Sequence, residues 1–359
     1  MIHRYIEVTG TAYERGQQIG QVLKMQIETN LASQKLFYQD SAEALNLWQE
    51  QAEQYLIYTE KFAPEVVAEL KGIASGSQLP FEEILYLYTV YERSFFDQLV
   101  SDKCTSFAAQ GAATLDGSVI CGQTNDERLD EYRSEVDCVV HHTDPVTKLE
   151  TLIYSHPGIP AYMGMNNYGL AVMWTFIDNG NRQEGLPTAG IIRGLLACKT
   201  LAEARTFLIE VPHAVPNQFT LAHATDGLAS FECFPNQLYE QESAAIMIHA
   251  NHNSIATTEP EMGGSKTSHS RFEAMNTIVH EQYGKITAEM GKDFLASHRN
   301  FPKSICNHPS PEHPLSKSLA SMVFDLGKGE MHLAFGNACE QPFHTYHFKQ
   351  WCVSKAGKK

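Results

Sequence analysis

No window of this 359-residue chain approaches the roughly 20 consecutive apolar residues that a membrane-spanning helix needs. The first residues, MIHRYIE, carry charge where a secretory signal would place its apolar run, so a soluble cytoplasmic protein is expected. Basic charge is scarce too: 27 Lys and Arg stand against 42 Asp and Glu, a formal net charge of −15. Nucleic acid and anionic membrane surfaces require a basic face, and this balance argues against both as partners. Charged residues make up 19% of the chain, below the roughly 25% of typical soluble domains, while 43% are apolar. A large core is therefore expected and disorder is not.

Common chemical signatures are missing as well. There is no G-x-S-x-G elbow, no P-loop lysine, no G-x-G-x-x-G turn and no H-E-x-x-H helix. The pairs His249/His252 and His344/His347 have no companion ligand set, and a three-residue step at a strand end turns the two side chains to different sides. Neither a metal site nor a cofactor is expected. The eight cysteines (Cys104, Cys121, Cys138, Cys198, Cys233, Cys306, Cys339 and Cys352) include no C-x-x-C pair. Their wide spacing reads as reduced thiols.

What is there falls into two regimes. Residues 13–100 have helical periodicity: Ile19, Leu23, Ile27 and Leu31 recur every four residues, and a second run starts at Pro64 and carries Val67, Leu70 and Ile73. From Cys104 onward, short apolar runs flank Asp116-Gly117, Asp144-Pro145 and Asp226-Gly227, the pattern of antiparallel hairpins. Further strands are expected at 169–176, 245–250, 319–324 and 331–335. Helical blocks at 189–209, with a capping box at Thr200 and Glu203, and at 268–298, broken near Gly284, interrupt the strands. Helices in blocks between antiparallel strands predict a layered α+β fold, not a doubly wound parallel sheet.

At the boundary of the two regimes lies Cys104-Thr105-Ser106. Six further segments accompany it in order: GTAYERGQQIG (Gly10–Gly20), the stretch Pro64–Ala74 continuing to Glu92, GQTND (Gly122–Asp126), MNNYGLA (Met165–Ala171), ANH (Ala250–His252) and SICNHP (Ser304–Pro309). Together they resemble the isopenicillin N acyltransferase family, autoproteolytic members of the N-terminal-nucleophile (Ntn) hydrolases, over nearly the whole chain. The resemblance implies a four-layer αββα sandwich with antiparallel sheets and an N-terminal helical segment. It also implies cleavage between Lys103 and Cys104. Residues 1–103 would become an α chain, and 104–359 a β chain bound to it noncovalently. Cys104 would then be both nucleophile and, through its freed amine, base.

The chemistry of that arrangement is general. A thiol with a reference pKa of about 8.5 is mostly protonated at pH 7, and an adjacent α-amine near 7.7–8.0 can accept its proton. In the resemblance Asn251 supplies an oxyanion donor, supported by a backbone N–H near Thr175, and Asp126 orients the amine. By residue type alone Asn251 is a turn residue and Asp126 a loop carboxylate. Asp130 is the alternative to Asp126, because Thr124-Asn125 replaces the family's Asn followed by an aromatic. Thr105 and Ser106 either bond the tetrahedral intermediate or pair within the strand. Arg15 and Glu14 read as a structural ion pair. The expected activity is amide hydrolysis or acyl transfer on a small acyl or amide substrate. Bile-salt or penicillin V amidase-like and acid ceramidase-like chemistry are the alternatives. So is an unprocessed, non-catalytic binding protein, a reading that Lys103 favours because relatives carry Gly there. Substrate identity and oligomeric state, including a homo-oligomer, stay open.

Overall fold

Thr11 starts the first long helix by accepting the backbone N–H of Glu14, whose carboxylate returns the bond to Thr11. Glu14 is thus spent on a cap, and it is Glu65, at 3.9 Å, that faces Arg15; the expected Arg15–Glu14 pair is not formed. The computed structural model describes residues 3–39, 41–96, 104–242, 244–261 and 267–353. The N-terminal part comprises β1 (Tyr5–Thr9), α1 (Ala12–Tyr38), α2 (Ala42–Phe62), α3 (Pro64–Ser77), α4 (Phe81–Tyr88) and α5 (Val90–Phe96). Ile19, Leu23, Ile27 and Leu31 form the buried stripe of α1, as their spacing predicts.

Strands β2 (Thr105–Gly111), β3 (Gly117–Arg128), β4 (Cys138–Thr143), β5 (Glu150–Ser155), β6 (Met163–Asn166) and β7 (Leu170–Phe176) follow. Then come α6 (Thr188–Ala197), α7 (Leu201–Glu210), β8 (Asn217–His223), β9 (Gly227–Phe234), β10 (Gln237–Glu242) and β11 (Ile246–His249). The chain ends in α8 (Ser268–Glu281), α9 (Ala288–Leu295), β12 (Ser316–Asp325), β13 (Glu330–Ala334) and β14 (His344–His347). All three predicted hairpins form. In the first, Gly117 takes φ +81°, which a side chain at that position would resist.

Among the described residues the strands make two sheets, one ordered β1-β4-β5-β6-β7-β8-β9-β10 and one ordered β11-β2-β3-β12-β13-β14. They face each other through β2 and β3 on one side and β7, β8 and β9 on the other. Helices α6 and α7 cover the outer face of the first sheet, and α8 and α9 that of the second. This is the expected αββα sandwich. Its outer layer on the second sheet is sealed by Phe107, Ile120 and Val323 against Met275, Val279 and Phe294.

One element departs from the reading of the N-terminal segment as helical. β1 pairs in parallel with β4, from Tyr5 opposite Val139 to Thr9 opposite Thr143. Ile6 and Val8 are buried while Glu7 and Thr9 are exposed, an alternation too short to stand out beside a long helical run. Strands β6, β10 and β14 are also short and escaped the sequence reading.

Candidate active site

Cys104 lies immediately before β2, between the two sheets, and is 1% exposed. Its φ of +69° is a left-handed conformation that costs a non-glycine residue about 1–3 kcal/mol, and such strain persists only where surroundings enforce it. The thiol sits 3.1 Å from the hydroxyl of Tyr162, whose ring is packed edge-on by Tyr91, Tyr154 and Trp174. Burial, and then the charges of Asp126 and Glu127, push the thiol up to about 12. In the intact chain it is therefore a protonated, weakly nucleophilic group at neutral pH.

Arg271, on α8 and 2% exposed, organises the surroundings. Its guanidinium donates to the Cys104 carbonyl, to Thr105 Oγ1 at 2.7 Å, to Asn251 Oδ1 at 2.9 Å and to Thr267 Oγ1 at 3.2 Å. A planar fork of donors can hold several oxygens at once in fixed positions, which a lysine could not do. The carbonyl contact fixes the backbone of Cys104, and the Asn251 contact turns that amide so that its N–H₂ points the other way.

Asn251 Nδ2 in turn donates to the Phe176 carbonyl at 2.9 Å, and among the described residues its second hydrogen meets no other acceptor. Phe176 follows Thr175 in β7, so the two residues predicted to share an oxyanion role are brought together. The Thr175 side chain is occupied otherwise: its hydroxyl is 2.9 Å from His249 Nδ1 and donates to Gln218 Oε1 at 2.7 Å. His249 Nε2 meets Glu232 at 2.8 Å, and Glu232 also accepts the backbone N–H groups of Ser254, Ile255 and Ala256. Burial alone would raise Glu232, but the His249 bond and these N–H groups outweigh it and hold the carboxyl at about 2. The loop carrying Asn251 is thus tied at both ends.

Asp126 is buried in β3, where its Oδ1 accepts the Ser318 hydroxyl at 2.6 Å and its Oδ2 that of Thr124 at 3.3 Å. A bulge in the β12–β3 pairing between Ser318 and Ala320 accompanies this contact; bulges commonly re-aim a side chain next to a site. Burial raises Asp126 to about 6 against the opposing pull of Arg271. Asp130, the alternative, is half-exposed and paired with Arg128 at 2.7 Å, away from this cluster. Thr105 accepts from Arg271, and the Ser106 hydroxyl reaches the His249 carbonyl at 3.5 Å, so both are committed inside the protein. Lys103 lies outside the described residues.

The family model of acyl-coenzyme A:6-aminopenicillanic acid acyl-transferase matches residues 114–340, more than half of the chain. The chain belongs to that family. The matched span begins after Cys104, and includes Asp126, Asn251 and Arg271. Among curated proteins, the 40 kDa form of acyl-coenzyme A:6-aminopenicillanic-acid-acyltransferase from Emericella nidulans is 24% identical over 271 residues, covering 73% of this chain and 72% of that one. Penicillin V acylase from Agrobacterium tumefaciens aligns in structure with a TM-score of 0.47 and 15% identity, over 68% of this chain and 86% of that chain. A variant of conjugated bile acid hydrolase from Clostridium perfringens gives 0.44 and 13%, over 71% and 100%.

For this acyltransferase-family chain, the sequence reading missed three contributors. Arg271 stands alone in an ordinary amphipathic helix, Tyr162 follows a Gly-Ile-Pro-Ala turn, and Ser318 becomes a partner of Asp126 only through the bulged pairing. Four side chains that the sequence reading did not link also converge. His298, Cys306, His308 and Cys339, none paired in the sequence reading, bring their donor atoms within 4.8 Å of one another. A cavity of about 530 Å³ is lined by Arg15, Pro64, Tyr168, Arg193 and Phe207 among others, and neither Cys104, Asp126 nor Asn251 lines it.

Proposed function

We propose that this chain is a cysteine Ntn amidohydrolase or acyltransferase that activates itself by cutting the Lys103–Cys104 bond. The observation that carries the reading is Cys104 itself, buried in a strained left-handed conformation with its carbonyl gripped by Arg271 beside Asp126 and Asn251. In the precursor, Sγ attacks the Lys103 carbonyl carbon. The peptide C–N bond breaks as its nitrogen takes the proton, and water hydrolyses the resulting thioester. The freed α-amine then supplies the base that the intact chain lacks.

In turnover the amine accepts the thiol proton and Sγ attacks a substrate amide. The oxyanion takes the spare Asn251 hydrogen, and a donor of this kind is commonly worth about 3–4 kcal/mol. The amine passes the proton to the leaving nitrogen, and the thioester is released to water or to an acceptor amine. Asp126 orients the amine and stabilises its ammonium form. No metal or cofactor takes part in these steps. The substrate is a small linear amide: an N-acyl amine, a small peptide or an aminoacyl amide. We place the protein in the cytoplasm, where the eight free thiols stay reduced. Among the described residues no helix is long and apolar enough to cross a membrane.

Intact mass spectrometry of purified wild-type and Cys104→Ala protein tests this. The wild type should give chains of 103 and 256 residues, and the variant one intact chain without amidase activity on N-acyl amino acids or β-alanyl amides. A variant still divided before residue 104 removes Cys104 as the nucleophile. An undivided wild type leaves the non-catalytic binding protein as the better reading.

A further inference from the structure

Four of the six distances among the donor atoms of His298, Cys306, His308 and Cys339 have the spacing of a metal shell, and all four atoms lie within 4.8 Å of one another. His298 Nε2 lies 3.1 Å from His308 Nε2. His308 Nε2 lies 3.5 Å from Cys306 Sγ and 3.3 Å from Cys339 Sγ, and the two sulfurs are 3.5 Å apart. A tetrahedral zinc ion with bonds of about 2.3 Å to sulfur and about 2.05 Å to nitrogen requires edges of about 3.3 Å between nitrogens, about 3.6 Å between nitrogen and sulfur and about 3.8 Å between sulfurs. The four measured edges fall a few tenths of an ångström short of these values. From this geometry we propose that His298, Cys306, His308 and Cys339 bind one zinc ion in a closed Cys₂His₂ site.

The surroundings suit that assignment. Glu340 Oε1 lies 3.6 Å from His308 Nδ1, on the side of the ring away from the cluster, where a carboxylate fixes the tautomer of a ligating imidazole. Asn337 Nδ2 donates to Cys306 Sγ at 3.4 Å, as a thiolate ligand requires. The donor set is the borderline-soft mixture of thiolate and imidazole that selects zinc over magnesium or calcium. A disulfide between Cys306 and Cys339 accounts for the sulfurs but leaves two imidazole nitrogens converging on the same point without purpose.

Four protein ligands leave no open coordination position, so the ion is structural and takes no part in acyl chemistry. It joins the segment after α9, which holds His298, Cys306 and His308, to the turn between β13 and β14, which holds Cys339. Between two ligands lies Asn307, whose backbone N–H donates to Ser318 Oγ at 3.0 Å and whose carbonyl accepts the Ser318 N–H at 3.0 Å. Ser318 is the residue that donates to Asp126. The ion therefore braces the bulged strand behind the candidate active site. The proposal itself depends only on the donor geometry, and metal content can be read whether or not the chain processes itself or turns over.

The test is metal analysis of the full-length, tag-free chain after reduction and incubation with zinc chloride, with cobalt chloride in a parallel sample. One zinc per chain is expected, and the cobalt form should show the intense visible bands of a tetrahedral thiolate site. The double variant Cys306→Ser/Cys339→Ser should bind neither metal, and Cys352→Ser should keep full occupancy. Because the double variant can fail to fold, His298→Gln, at the exposed rim, supplies an independent reading: its zinc affinity should fall roughly tenfold or more. Reduced wild-type protein that takes up neither metal, unchanged affinity in His298→Gln, or full occupancy in a folded double variant would each overturn the assignment. A Cys306–Cys339 disulfide that persists with no metal bound would do the same.

Discussion

Asp126 holds two opposed demands in one carboxyl group. It lies in a fully buried place that disfavours charge, yet the proposed role beside an α-ammonium needs the charge. Its native value of about 6, against about 3.9 in an unfolded chain, means that the folded state binds the proton more tightly. The associated stability is fully present below about pH 4 and is lost as pH rises through about 6, a span worth about 3 kcal/mol. Asp126→Asn removes the titration while keeping an acceptor for Ser318. The difference in unfolding free energy, variant minus wild type, should therefore grow between about pH 4 and pH 6.5 in denaturant titrations, while amidase activity falls. A difference that stays flat across that window means that the carboxyl is not raised.

At this scale the candidates that the sequence offered are those whose types and order form a motif: Cys104, Asp126 and Asn251. It favoured Asp126 with Asp130 as the fallback, and strand register separates the two, because Asp126 faces Ser318 while Asp130 reaches Arg128 outside. Arg271 and the four zinc-ligand candidates were illegible for a different reason. Arg271 reaches as far as Cys104, 167 positions away, and Cys306 meets Cys339 across 33, and only the packed fold makes these residues neighbours.

Among the elements, the α1–α3 contact shows how a motif can carry physics unrelated to catalysis. Gly16 and Gly20 on α1 face Gly72 and Gly76 on α3, and the two helix backbones nearly touch: a Cβ on Gly16 would run into the Glu69 carbonyl, and one on Gly72 into that of Tyr13. Small residues at this spacing let helices approach closely. Gly16→Ala gains helix propensity but must separate the pair, so it should destabilise the protein by about 3 kcal/mol, at the upper end for overpacking. Val22→Ala, on the exposed face of the same helix, should change stability by no more than about 0.5 kcal/mol. Thermal unfolding of both variants measures the contrast, and equal effects would show that the helix contact is looser than described. The spacing in GTAYERGQQIG was visible in the sequence; the close approach that explains two of its glycines was not. Hairpins were legible because Asp-Gly and Asp-Pro turns act locally, whereas β1 owes its existence to β4, more than 130 residues away.

For the whole molecule, the question raised by a cut before Cys104 is what keeps the two chains together. Residues 1–103 contribute more than a helical layer, since β1 is a member of the eight-stranded sheet and shares a parallel ladder with β4. Polar ties reinforce it across the cut: Gln26 Nε2 donates to the Val136 carbonyl at 2.7 Å, Asn30 Nδ2 to that of Pro157 at 2.8 Å, and Arg193 Nη2 to the buried Glu69 at 2.7 Å. Leu23, Ile27, Leu70, Leu87 and Tyr88 belong to the same core cluster as Leu152, Met173 and Phe219. Breaking one peptide bond removes none of these contacts, and separation would expose a core face and leave the ladder of β4 open. The two fragments are therefore expected to co-elute in size-exclusion chromatography under native conditions and to part only in denaturant. Ile6→Asp with Val8→Asp should weaken that association, because both side chains are buried on the inward side of β1. Native separation of the unmodified fragments would mean that residues 1–103 act as a removable propeptide, and the sandwich would then have to close without β1.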